Sequence, residues 1–180
     1  MNLANGMSVN KASDFSRVNQ RLLQSRFLLQ QARTLSQDFL SPLQYDALIN
    51  SVLMHLQLAL IFYWRELGSY SRLKNAYQFQ SLDDLQAELI KQNLHSQIVE
   101  ELVDLQSTPG SWLRRLQSAI HQLTLSESPQ PEAKAFVVNE NQIPLIHLDE
   151  DESLSLDDID SFIKEFMLST QRQRSVLAEF

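Results

Sequence analysis

Arg114, Arg115 and His121 are the residues whose types and spacing come nearest to a catalytic set in this chain. A histidine can move a proton at a ribose hydroxyl and an arginine can steady the neighbouring phosphate, so this pair on one helix suits RNA cleavage. Five residues separate Arg115 from His121, and six separate Arg114 from it. On a helical wheel Arg114 and His121 fall opposite the apolar side, open to solvent or to a second subunit. The plainer role for all three is to solvate the polar face of an amphipathic helix. Leu116, directly after Arg115, adds no polar companion.

A second set surrounds the end of the most apolar stretch: Tyr63, Glu66 and Tyr70, with Phe62 and Trp64 among them. Bounding a pocket, they would make the protein a small-ligand-binding regulator. Aromatics at helical spacing are more often core, and Glu66 is more simply paired with an arginine of the first helix. A third set, Ile159, Phe162, Ile163 and Phe166, lines one face of the last helix. Such a face docks either on the chain's own bundle or in a partner's groove.

Other chemistries lack their residues. The chain has no cysteine, which excludes disulfides, zinc-thiolate sites and a cysteine nucleophile. Its four histidines, His55, His95, His121 and His147, form no Glu-x-x-His, the spacing that brings two ligands of one helix to one metal. His55 and Glu66 share a helix face but stand about 16 Å apart along it. Gly-x-Ser-x-Gly is absent, and three glycines leave little room for a phosphate-cradling loop. No cofactor or metal is expected.

The elements that position these residues read as helices. The first is predicted from about Asp14 to Asp38, capped by Ser13, with Phe15, Val18, Leu22, Leu29 and Ala32 on one face. Ser41-Pro42-Leu43-Gln44 supplies a cap, a proline at the first helical position and a capping-box glutamine. That second helix is expected to run to Leu67, with Gly68 as its stop. An aromatic connection (69–80) precedes a third helix, Ser81 to about Gln106, with acids in its first turn. Thr108-Pro109-Gly110-Ser111 starts a fourth, whose face is Trp112, Leu113, Leu116, Ala119, Ile120 and Leu123.

Residues 126–155 hold three of the five prolines and the run Asp149-Glu150-Asp151-Glu152. Two short apolar runs there, Ala135–Val138 and Ile143–Leu148, would make a small hairpin, with Pro144 confining its strand to an edge. The last helix starts near Ser155. Its SLDDI matches the SLDDL at 81–85 because serine followed by acids is what a helix start requires. The expectation is an all-α fold: a bundle of four main helices (14–125), an acidic, partly irregular linker (126–155), and a C-terminal amphipathic helix (156–180) packed on the bundle.

Composition narrows the setting. The 180 residues are 43% apolar, enough to bury a core, with a net charge of −7. Residues 1–80 carry eight Lys/Arg against four Asp/Glu, net +4; residues 81–180 carry seven against eighteen, net −11. The acidic half therefore has a basic first helix to lie against, within the chain or across a dimer. An acidic chain with scattered basic residues is a poor nucleic-acid binder. Met1–Asp14 lacks the pattern of a secretory signal. Ala47–Trp64 carries Asn50, Ser51, His55 and Gln57, too polar for a lipid-facing span. A cytoplasmic location is expected, with no nucleic-acid or membrane partner.

The segments 17–32, 52–73, 101–120 and 162–180 resemble an uncharacterised gammaproteobacterial family of small helical proteins. Asn19-Gln20, the Leu60–Tyr70 stretch with Glu66, Gly68 and Tyr70, and Pro109-Gly110-Ser111-Trp112-Leu113 carry the resemblance, which omits 126–155. It implies a bacterial, cytoplasmic protein and supplies no activity. The expected function is a non-catalytic protein–protein interaction module, binding an unknown protein partner or a second copy. The alternatives are the helical-bundle ribonuclease and the small-ligand regulator.

Overall fold

The computed structural model describes residues 13–35, 41–125 and 154–178. Six α-helices fill it: α1 (Asp14–Leu35), α2 (Pro42–Tyr70), α3 (Leu82–Lys91), α4 (Gln97–Ser107), α5 (Trp112–Leu125) and α6 (Leu156–Ala178), with a 3-10 turn at Ala76–Gln78. No strand occurs among the described residues, so the fold is all-α as expected. The hairpin proposed for 135–148 lies outside those residues, as do the last residues expected in α1.

Local chemistry sets most of the boundaries. Ser41 caps α2 in a complete capping box with Gln44, and Ser81 does the same for α3 with Asp84. Ser155 takes the Asp158 backbone N–H while the Asp158 carboxylate takes the Ser155 N–H. The two SLDD starts are thus the same cap used twice. The Ser13 hydroxyl accepts from the Ser16 N–H at 3.3 Å.

Two boundaries differ from expectation. The single helix expected from Ser81 to Gln106 is two, because Asn93 adopts a left-handed φ of 52° and closes α3. Leu94 N–H reaches Leu89 O and Asn93 N–H reaches Ile90 O, the paired bonds of a Schellman ending. Asn tolerates this conformation better than most residues. Gly68, expected to stop α2, lies inside it. The stop is Arg72, at φ 58°, with Leu73 N–H bonded to Gly68 O and Arg72 N–H to Ser69 O.

Gly68 is glycine for space. A Cβ there would meet the Phe79 ring at 2.5 Å and Ala76 Cβ at 3.1 Å. Gly68→Ala should therefore destabilise the protein by about 1–3 kcal/mol despite alanine's better helix propensity. Urea unfolding would measure this, and Phe79→Leu in the same chain should recover part of the loss. A stabilised Gly68→Ala would show that the Phe79 ring yields freely.

α2 is the spine. Val52, Leu53, Leu56, Ala59, Leu60, Tyr63, Trp64 and Leu67 form its buried side. It pairs antiparallel with α1, with Arg17 over the Phe62 ring and Arg21 beside His55. α3, the 3-10 turn and α5 also lie against α2, and α6 crosses between α1 and α5. By length and composition alone α2 could cross a bilayer; here one side of it is core and carries the buried Glu66.

α6 completes that core. Phe166 packs edge-on to Tyr63 and stacks on Trp112, both with centroids at 5.6 Å. The charge asymmetry of the sequence appears at its N-terminal end, where Arg33 of α1 pairs with Asp157 at 2.6 Å and Asp160 at 3.5 Å. On α1, Val18, Leu22, Leu29 and Ala32 are buried as expected. Phe15 is not: it is 45% exposed, with the Arg174 guanidinium 4.0 Å above its ring. Ser25 is buried instead, its hydroxyl bonded to Arg21 O.

Candidate functional site

Each constellation singled out in the sequence has a definite place. Arg114, Arg115 and His121 are all exposed on α5. The Arg114 guanidinium donates to Ser107 O at 2.9 Å, holding the α4–α5 turn. Arg115 donates to the Asp158 carboxylate at 2.8 Å and lies 5.4 Å over the Phe162 ring, so it ties α5 to α6. Arg114 and His121 share a side of α5 about 10 Å apart along its axis. A single ribose-phosphate would have to reach across nearly two turns to meet both.

The Arg115–Asp158 contact has a pH signature. Hydrogen bonds from the Ser155 hydroxyl, Arg115 and the Ser155 backbone hold the Asp158 carboxyl down at about 2. With its pKa lowered in the folded state, the ion contributes stability above about pH 4, and that contribution is lost as pH falls towards 2. Asp158→Asn should cost about 1 kcal/mol at pH 6, a modest figure because the pair is partly exposed. Paired urea titrations should show the gap closing at pH 2, and a constant gap would contradict the assignment.

Tyr63, Glu66 and Tyr70 do not share a pocket. Tyr63 and Glu66 are inside the core, whereas Tyr70 is half exposed. Tyr70 edges a depression of about 230 Å³ formed with Leu67, Leu89, Leu94, His95 and Leu177. The Tyr63 hydroxyl makes no hydrogen bond, and burial pushes its pKa up. Glu66 is 4% exposed and fully engaged. Arg174 of α6 grips it in a two-pronged ion pair, Nε to Oε1 and Nη2 to Oε2, both at 2.8 Å.

The partner of Glu66 thus comes from the last helix, not from the first as the sequence suggested. α1 contributes a neutral group, Asn19, whose Oδ1 accepts from Arg174 Nη1 at 2.8 Å. Three of the four α1 arginines are occupied elsewhere: Arg17 at Asp14, Arg21 at Gln24 and His55, and Arg33 at α6.

Ile159, Phe162, Ile163 and Phe166, the face read as docking either on the chain's own bundle or in a partner's groove, are at most 1% exposed. They are packed into the chain's own core and present no surface in this conformation. Unpartnered apolar surface lies elsewhere, on α1. Leu23 is 60% exposed and Phe27 64%. With Gln20, Gln24, Leu28 and His55 of α2 they line an open groove of about 350 Å³.

Arg21 stands at the edge of that groove. Its Nη1 donates to Gln24 Oε1 at 3.1 Å and meets His55 Nδ1 at 3.2 Å. Burial, and then the Arg21 charge, lower the His55 pKa, so a neutral imidazole can accept through Nδ1. The sequence carries a signal for this surface that periodicity analysis passes over: Leu23 and Phe27 fall outside the buried stripe of α1. No group of three or more His, Asp or Glu residues arranged for a metal ion occurs among the described residues.

A family model described as "Family of unknown function (DUF6586)" matches residues 13–180. The match runs through 126–155, which the sequence resemblance leaves out. No curated protein and no solved structure matches the chain.

Proposed function

The chain belongs to this family of unknown function, and we propose that it is a non-catalytic protein–protein interaction module that docks its partner on the α1–α2 groove. The observation that supports this reading is the pair of large apolar side chains, Leu23 and Phe27, standing mostly exposed on a helix whose other side is buried. Exposed apolar clusters with a polar border are characteristic of binding surfaces. The enzyme reading has less support, because Arg114 and Arg115 both hold neighbouring elements. The ligand reading has less support because Tyr63 and Glu66 are enclosed and only Tyr70 faces a depression.

The test is affinity capture from the native host with wild-type protein and the double variant Leu23→Glu/Phe27→Glu, after confirming equal unfolding midpoints. A stoichiometric partner captured by wild type and lost by the variant is expected. Equal capture by both, or capture by neither, removes the reading.

A further inference from the structure

The reading of the α1–α2 groove as a docking surface leaves its partner's chemistry open, and the groove's own charge answers that. We propose that the groove takes an amphipathic helix of a partner protein, one that sets apolar side chains against Leu23, Phe27 and Leu28 and a carboxylate against Arg21. The inference rests on the docking function proposed above.

Three features favour this occupant. The six lining residues carry no formal charge with His55 neutral, so the groove floor suits apolar anchors. Leu23 and Phe27, like Gln20 and Gln24, are four residues apart, a repeat of about 6 Å along α1. A partner helix with anchors at the same spacing can interleave with those rows. At the rim, Arg21 has no carboxylate partner among the described residues and is bonded only to neutral Gln24 and His55. A cation at the edge of an apolar groove favours a ligand that brings the opposite charge.

Charge also separates this occupant from a second copy of the chain. Within Asp14–Leu35 there are four arginines and one aspartate. A second copy would set this basic helix against itself, because a two-fold interface repeats the same surface on both subunits. The chain's own helix α6 already lies on another side of α1, where Asp157 and Asp160 of its acidic first turns meet Arg33. That contact shows α1 accepting the acidic end of an amphipathic helix on one side, and Arg21 sets a cation beside the groove on the other.

The experiment is selection of a phage-displayed library of random 16-residue peptides on the full chain. Enriched peptides should carry apolar residues at i, i+3 or i+4, and i+7, with Asp or Glu beside them, and should bind at least tenfold more weakly to Phe27→Glu. Arg21→Gln should lower the affinity of acidic peptides severalfold while leaving their Asp/Glu-to-Gln counterparts unchanged, an effect a merely structural Arg21 would not produce. Peptides that depend on Phe27 but show no preference for acids would overturn the partner chemistry and leave the docking surface standing. Absence of enrichment, or binding indifferent to Phe27, would overturn the partner assignment itself. A benzoylphenylalanine at position 27 in the full chain tests the other occupants: a cross-link to a second copy or to residues 126–153 would also overturn it.

Discussion

Arg174→Met should destabilise the fold by about 3–5 kcal/mol, the usual cost of leaving one partner of a buried ion pair alone. Glu66 would keep its place in the core with neither of its two 2.8 Å guanidinium bonds. Asn19 would lose its donor as well. Urea unfolding of the single variant and of Glu66→Leu/Arg174→Met separates the causes. The double variant should recover most of the loss, since an apolar pair removes the uncompensated charge. A loss below about 1 kcal/mol in the single variant would mean that water reaches Glu66 and solvates it in place of Arg174.

Phe166→Ala should cost about 3–5 kcal/mol, in the range for large aromatic truncations in a core. The ring contacts both Tyr63 and Trp112, so its removal opens space between α2, α5 and α6 at once. Thermal unfolding followed by tryptophan fluorescence would report it, because Trp112 is stacked on the deleted ring. An α6 that only rested on the outside of a finished bundle would let this variant melt like wild type. A cooperative melt at lower temperature is expected instead, since Ile159, Phe162 and Ile163 belong to the same core cluster.

The starts of α2, α3 and α6 were legible because their chemistry is local, whereas that of α4, whose N-cap Ser96 makes no side-chain cap bond, was not. Ser41 with Gln44, Ser81 with Asp84, and Ser155 with Asp158 lie three residues apart, and no distant residue is needed to complete them. The α5 face was legible for a similar reason, with Leu113, Leu116 and Ile120 buried at helical spacing. Helix ends were harder. Asn93 and Arg72 carry the left-handed turns, while Gly68, which has the residue type for such a turn, is used for its missing side chain against Phe79.

Site residues depended on distance in sequence. Glu66 could be read as a buried acid needing a cation, but Arg174 lies 108 residues away and competes on paper with four arginines of α1. The apolar face of α6 was visible, whereas whether it met the bundle or a partner turned on tertiary packing. The groove was hidden by the reverse effect. Leu23 and Phe27 look like ordinary helix apolars until the structure shows them mostly exposed among the described residues.

The tie from Asn19 and Glu66 to Arg174 also sets a timetable for synthesis. At typical elongation rates, about 5–20 s pass between the addition of residue 66 and residue 174. For most of that interval α2 has been made, but the Phe166 ring that packs on Tyr63 and the guanidinium that neutralises Glu66 do not yet exist. Pairings this far apart also raise contact order and slow the final closure. The nascent chain therefore carries an unfinished apolar surface for seconds, and it is in that window, rather than after folding, that demand for chaperones should be greatest.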